Sequence, residues 1–226
     1  MPRLIVDKQA VEVVAGSNVL AALRKLRIDV PALCYHPACK PNTACMACVV
    51  KLKGPDRIVP SCATRAEDGM VVESETEEIH DLRRAALELL LSDHAGAWSD
   101  DARDYPHCDC AARDTCRLLK YARLYRANGA RYQGARRTNT QCYAHPEIEY
   151  DPAKCILCGI CVQLAQQAGE AVGLALIGRG FELRVDVPMN ESLEKALSVA
   201  ARRCAGACPT GALSLRQHRE RPGKPR

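Results

Sequence analysis

Positions 4–6 and 11–14 are short runs rich in Leu, Ile and Val, which predict two short strands, with the polar Asp7-Lys8-Gln9 between them as a hairpin turn. Gly16-Ser17-Asn18 then offers a helix start, and Val19, Leu20, Leu23 and Leu26 recur at helical spacing, so a short amphipathic helix should pack across that hairpin. Further strands are expected at 49–51, 58–59 and 70–72, giving a sheet of at least four strands around one helix. The longest helical pattern covers 77–91. Ile79, Leu82, Leu87, Leu90 and Leu91 can share one face there, and acidic residues at its start suit the helix dipole. Periodicity weakens over 99–141, although 116–125 reads as helical. After Asp151-Pro152 it sharpens into a helix following Gly159, strands at 174–177 and 182–187, and a helix from 192 to about 203. The chain thus divides into a unit at 1–76, a helical linker at 77–140, a second unit at 141–216 and a basic, disordered tail at 217–226, an α+β organisation.

Composition changes this picture in one respect. Aromatic residues make up only 4% of the chain, with one Trp and one Phe, so large rings cannot fill much of the interior, whereas there are 14 cysteines. The opening MPRLIVDKQA lacks the long apolar run of a secretory signal, so a cytoplasmic location is expected. In a reducing compartment clustered cysteines read as metal ligands or redox groups rather than disulfides. The most apolar segment, 85–91, falls far short of the roughly 20 residues that span a bilayer, so no direct membrane insertion is expected. The net charge of +5 is uneven, acid-rich over 67–104 and basic over 117–137. Arg123, Arg126, Arg131, Arg136 and Arg137, with Tyr121, Tyr125 and Tyr132, sketch a nucleic-acid footprint, but solvated faces account for them and no nucleic-acid partner is expected.

The cysteines fall into sets. Cys34, Cys45, Cys48 and Cys62 form C-x10-C-x2-C-x13-C, three on one loop and the fourth returning from a later strand region. A [2Fe-2S] cluster needs four thiolates arriving from two directions, two per iron, and this spacing supplies them. Zinc accepts four thiolates too, but its C-x2-C pairs usually come twice, and only Cys45 and Cys48 are so paired. Near the other end, Cys155, Cys158 and Cys161 form C-x2-C-x2-C, with Cys204 and Cys208 ahead of Pro209. Ala165 stands where a two-cluster ferredoxin would have its next ligand. Five thiolates cannot complete two cubanes, so one [4Fe-4S] cluster on Cys155, Cys158, Cys161 and Cys208 is the economical reading, with Cys204 as the substitute fourth ligand. Cys39 reads as an inert buried thiol, His36 as a packing residue, and Cys142 has no motif company.

Four runs carry a family resemblance: Pro31-Ala32-Leu33-Cys34-Tyr35-His36-Pro37, Cys45-Met46-Ala47-Cys48, Pro60-Ser61-Cys62-Ala63-Thr64 and Asp68-Gly69-Met70-Val71-Val72-Glu73-Ser74. They resemble the N-terminal region of the large iron-sulfur subunit of bacterial NADH:quinone oxidoreductase. The same module is similar to the small diaphorase subunit of NAD-reducing hydrogenases and to the front ends of iron-only hydrogenases and NAD-linked formate dehydrogenases. The resemblance implies an N-terminal β-grasp [2Fe-2S] ferredoxin-like domain and a C-terminal ferredoxin-like [4Fe-4S] domain, whose remote ligand Cys208 precedes Pro209-Thr210-Gly211-Ala212-Leu213. Thr43 stands where the family usually has glycine, which restricts the loop's backbone.

Between the ends, the family places a further [4Fe-4S] cluster on the pattern H-x3-C-x2-C-x5-C. Here His94 occupies the histidine position but Trp98 follows four residues later, and the cysteines come downstream as Cys108, Cys110 and Cys116. His94 with these three completes a ligand set if the intervening segment loops out, His107 is a nearer substitute, and a degenerate site without a cluster is the alternative. No glycine-rich dinucleotide or flavin fingerprint and no nucleophile triad is evident, so no catalytic site is expected in the chain itself. By resemblance, the protein relays electrons between a flavoprotein NAD(P)H-oxidising subunit and a catalytic oxidoreductase subunit of hydrogenase, formate dehydrogenase or quinone reductase type. The competing class is a redox-sensing or metal-stabilised binding or regulatory protein.

Overall fold

The computed structural model describes residues 1–94, 115–132 and 143–216. Strands β1 (Arg3–Val6) and β2 (Gln9–Glu12) pair antiparallel around Asp7 and Lys8, both at positive φ (45° and 70°), the left-handed pair that a two-residue hairpin needs to match strand twist. Helix α1 (Val19–Lys25) starts where expected because Asn18 accepts the Ala21 N–H at 3.0 Å, and it buries Val19, Leu20, Ala22 and Leu23. Strands β3 (Val49–Leu52), β4 (Arg57–Pro60) and β5 (Val71–Glu73) complete a five-stranded sheet in the order β2-β1-β5-β3-β4, with β1 and β5 parallel. Leu4, Val6, Leu20, Leu23, Val50 and Val72 fill the space between sheet and helix. Each such side chain contributes about 1.5–3 kcal/mol on burial.

Helix α2 (Glu77–Asp93), capped by the Thr76 hydroxyl, departs from its expected face. Ile79, Leu87 and Leu91 are fully buried, but Leu82 is 40% exposed and the charged Arg83 is fully buried. The buried row runs 79, 83, 87, 91, one helical turn apart, so a polar group shares the inward stripe, which an apolar pattern cannot reveal. Helix α3 (Arg117–Leu124) packs on α2 and buries two of the basic segment's tyrosines: Tyr121 donates to Asp29 at 2.7 Å, and Tyr125 accepts from Arg83 at 2.9 Å. Arg131 pairs with the buried Glu88 at 2.9 Å.

The second unit comprises β6 (Ile148–Tyr150), α4 (Ile160–Gln167), β7 (Ala175–Ile177), β8 (Arg184–Asp186), α5 (Leu193–Ala196), α6 (Ala201–Ala207) and β9 (Leu213–Leu215). The two strands expected at 174–177 and 182–187 appear as β7 and β8 and pair antiparallel, while β6 pairs antiparallel with β9. The sequence does not announce that second pairing, since three-residue strands so far apart leave no local period. The single helix expected over 192–203 is a correction: it is broken between α5 and α6, where Leu197 turns to φ −131°, ψ 60°. The Glu170 carboxylate accepts the N–H groups of Ser198, Val199 and Ala200 at 3.1, 2.7 and 2.6 Å, and the Ser198 hydroxyl at 2.7 Å. Those amides are therefore bound to Glu170 instead of to a helical turn. Although burial works in the opposite direction, these bonds hold Glu170 below the usual carboxylate range.

Two apolar cores result, and their division cuts across the expected boundary at residue 76. Leu33, Cys34, Cys39, Cys45 and Ala47, from the loop between α1 and β3, belong to the core of the second unit, whereas Cys48 and Cys62 belong to the first. Among the described residues no helix is long and apolar enough to cross a membrane.

Candidate metal centres

The loop that leaves α1 and enters β3 is wound by left-handed residues, Thr43 at φ 54° and Met46 at φ 48°. For a β-branched residue such as Thr43 this conformation is strained, and it marks the position where glycine would be at ease. The winding aims backbone N–H groups at sulfur: those of Ala44 and Cys45 at Cys34, and that of Ala47 at Cys45. Cys34 Sγ lies 3.3 Å from Cys45 Sγ, and Cys62, arriving just after β4, hydrogen-bonds with both Cys34 and Cys48. All four thiols are buried, and the fold brings them together. Ser61 steadies the return by donating its hydroxyl and its N–H to Cys48 O at 2.7 and 3.0 Å. Cys39 stands outside the foursome, 3.9 Å from His36 Nδ1.

The sulfur–sulfur contacts shift these thiols in opposite directions. Hydrogen bonds from Cys45 and Cys62 pull Cys34 down to about 3 against the effect of burial, and the Cys62 hydrogen bond brings Cys48 to about 7. Cys45 and Cys62 are pushed up by the same sulfur–sulfur contacts and by burial. Metal loading must expel whatever protons these thiols hold, since the thiolate is the ligand form.

In the second set, Cys155, Cys158, Cys161 and Cys208 line one small pocket with Tyr150, Ile156, Ile160, Val185, Ala212 and Leu213. Leu157, at φ 55°, donates its N–H to Cys155 Sγ at 3.4 Å, and Leu213 donates to Cys208 Sγ at 3.4 Å. Burial, then neighbouring sulfur charge, pushes Cys158 and Cys161 up, and Tyr150 rises for the same reasons. Cys204 is absent from the lining; it is fully buried within α6, its sulfur 3.6 Å from Cys161 O. The two sulfurs part because α6 ends at Ala207, and Cys208 turns out of the helix at φ −65°, ψ 122°.

Of the middle set, His94 ends α2 and Cys116 precedes α3, both buried. Cys108, Cys110 and the substitute His107 lie outside the described residues, as does Cys142. Neither complete set closes on one point, for among the described residues no three His, Cys, Asp or Glu side chains surround a single ion. Neither is bridged by disulfides. The donor chemistry fits polynuclear iron: sulfur alone as ligand, amide N–H groups directed at sulfur, and an apolar wall behind it. Sequence reasoning missed the surrounding shell, Arg83, Tyr150 and the N–H donors, because none belongs to a periodic or spaced pattern.

Comparison with known proteins agrees. Residues 3–77 match the family described as a 2Fe-2S iron-sulfur cluster binding domain. Over 94% of its length the chain is 32% identical to a subunit of the NADH-quinone oxidoreductase of Rhizobium meliloti (strain 1021) and, over the same share, 31% identical to the HndD subunit of the NADP-reducing hydrogenase of Solidesulfovibrio fructosivorans. It spans 24% and 36% of those two proteins. A chain of an NAD+-reducing [NiFe]-hydrogenase crystallised in its H2-reduced state superposes with a TM-score of 0.81 at 28% identity, covering 96% of this chain and 88% of that one. The first unit is therefore a 2Fe-2S ferredoxin-like domain of mixed α and β structure, and the resemblance drawn from the motifs holds along nearly the whole chain.

Proposed function

From the premise that this is an iron-sulfur protein homologous to iron-sulfur subunits of NAD(P)H-linked oxidoreductases, we propose that it is a multi-cluster relay between a flavoprotein NAD(P)H-oxidising subunit and a catalytic oxidoreductase subunit. Cys34, Cys45, Cys48 and Cys62 hold a [2Fe-2S] cluster, and Cys155, Cys158, Cys161 and Cys208 hold a [4Fe-4S] cluster in a ferredoxin-like second domain. The observation that carries this reading is the pairing of two four-cysteine sites in one folded chain, the second lining a cavity from which the spare Cys204 is turned away. When bound, such clusters take up and release single electrons, near roughly −400 mV for the plant-type [2Fe-2S] class, in the range of NAD chemistry.

The residues of the chain supply the rest. The N–H groups of Leu157 and Leu213 stabilise charge on Cys155 and Cys208, and Tyr150, with its hydroxyl donating to Val185 O, closes an apolar wall that keeps water from the sulfur. His94 and Cys116, with Cys108 and Cys110, are the ligands of a third centre if one is held. Anaerobic purification with iron and sulfide analysis and EPR tests the reading: about six irons per chain with two reduced-state signals is expected, and about ten if the middle set is filled. Iron near zero overturns it.

A further inference from the structure

A compact bracket of side-chain amides joins the two cysteine sets. Gln163 on α4 donates Nε2 to Lys40 O at 3.0 Å and accepts Lys40 N–H at 2.9 Å, while Gln167 donates to Ala38 O at 2.6 Å. Asn42 reaches furthest, donating Nδ2 to Cys158 O at 3.0 Å from a partly buried position. All four bonds end on backbone, so they fix the register of the 34–45 loop against the start of α4 rather than tie two mobile side chains together. They also fall between ligands on both sides: Asn42 lies between Cys34 and Cys45, and Cys158 is the middle cysteine of its run.

Gly159 shows how close the approach is. A Cβ built there would stand 3.0 Å from Asn42 Nδ2, and the residue's φ of +72° independently disfavours a side chain. Cys34, Cys45 and Cys158 share one apolar core.

We propose that Asn42 is a positioning residue that sets the separation and orientation of the two cysteine sets and so couples their clusters electronically. The proposal rests on the cluster assignment above. In that coupling one electron leaves one site, which is oxidised, and reduces the other, with no bond made or broken. Asn42 touches no reacting atom and acts through the Cys158 peptide.

The test uses the full chain, loaded anaerobically and fully reduced, by low-temperature EPR. Two reduced centres joined through this contact are expected to split or broaden each other's signals. Asn42→Ala should keep the iron content and both signals but diminish that mutual splitting. Gln163→Ala, which loosens the same loop without touching the Cys158 peptide, should diminish it less. Gly159→Ala is a second probe, expected to act like Asn42→Ala by pushing the loop away. Splitting unchanged in both Asn42→Ala and Gly159→Ala overturns the coupling role while leaving the cluster assignment standing. Wild-type protein lacking two signals overturns both.

Discussion

Replacing the buried Arg83 with Met tests how the first cysteine set is tied to the rest of the molecule. The guanidinium donates twice to Val49 O, at 3.1 Å from Nε and 2.9 Å from Nη2, and from Nη1 to the Tyr125 hydroxyl at 2.9 Å and to Glu75 at 3.3 Å. Val49 directly follows Cys48, so one side chain on α2 holds the strand carrying a candidate ligand and, through Tyr125, the end of α3. Met fills much of the volume but donates nothing. A buried acceptor left unmet costs about 1–3 kcal/mol, and Val49 O loses both of these donors. The Tyr125 hydroxyl can turn to a new partner and loses about 1 kcal/mol. The contact with the half-exposed Glu75 adds well under 1 kcal/mol. The sum is about 3 kcal/mol, and for a chain of this size that lowers the melting temperature by roughly 6–12 °C. Tyr125→Phe alone should cost about 1 kcal/mol, and the double variant should fall short of the sum of the singles by about 1 kcal/mol, since both remove the same bond. Thermal unfolding followed by circular dichroism across the four-protein cycle reads these values. Replacing a buried charge with an apolar side chain is sometimes neutral, and a loss for Arg83→Met no larger than that for Tyr125→Phe would refute the account.

Thr43→Gly should stabilise the protein by about 0.5–1 kcal/mol, because relief of a β-branched residue at φ 54° exceeds the added freedom of glycine in the unfolded chain; a lower urea midpoint would contradict this. Glu170, held below its ordinary value, contributes stability that is complete above about pH 5 and is lost as pH falls through its folded value, so Glu170→Gln should flatten the acid side of the stability profile, checked by denaturation at stepped pH. Cys208→Ala should remove about four irons per chain while Cys204→Ala retains them, read by iron analysis after anaerobic loading; equal loss would make Cys204 a ligand.

The hairpin, α1 and α4 were legible in the sequence because each carries its own local signal: a polar turn, an Asn18 cap, a Gly159 able to adopt φ 72°. The first cysteine foursome was legible for a different reason, since its spacing mirrors the two-sided approach that two irons require. What stayed hidden depends on groups distant in sequence. Arg83 is buried because Val49 and Tyr125, 34 and 42 residues away, offer it oxygen, and the helix over 192–203 breaks because Glu170 satisfies three of its amides. Ligand counting and the family resemblance favoured Cys208 over Cys204, and what places Cys208 rather than Cys204 beside the triplet is the helix ending one residue before Cys208.

The division between the two cores gives the first cysteine set an unusual dependence. Cys48 and Cys62 are packed within the sheet-and-helix unit, while Cys34 and Cys45 lie in the core shared with α2, α3 and the second unit. Each half of the foursome therefore answers to a different body, and the four sulfurs meet only when the bodies are docked. Asp29, accepting from Lys120 at 2.6 Å and Tyr121 at 2.7 Å, and Arg83 through Val49 are the pins of that docking. A metal group that binds only the docked arrangement stabilises it by mass action, so its binding energy is also docking energy. Coupling of this kind runs both ways: whatever loosens the seam weakens the site, and loading the site tightens the seam.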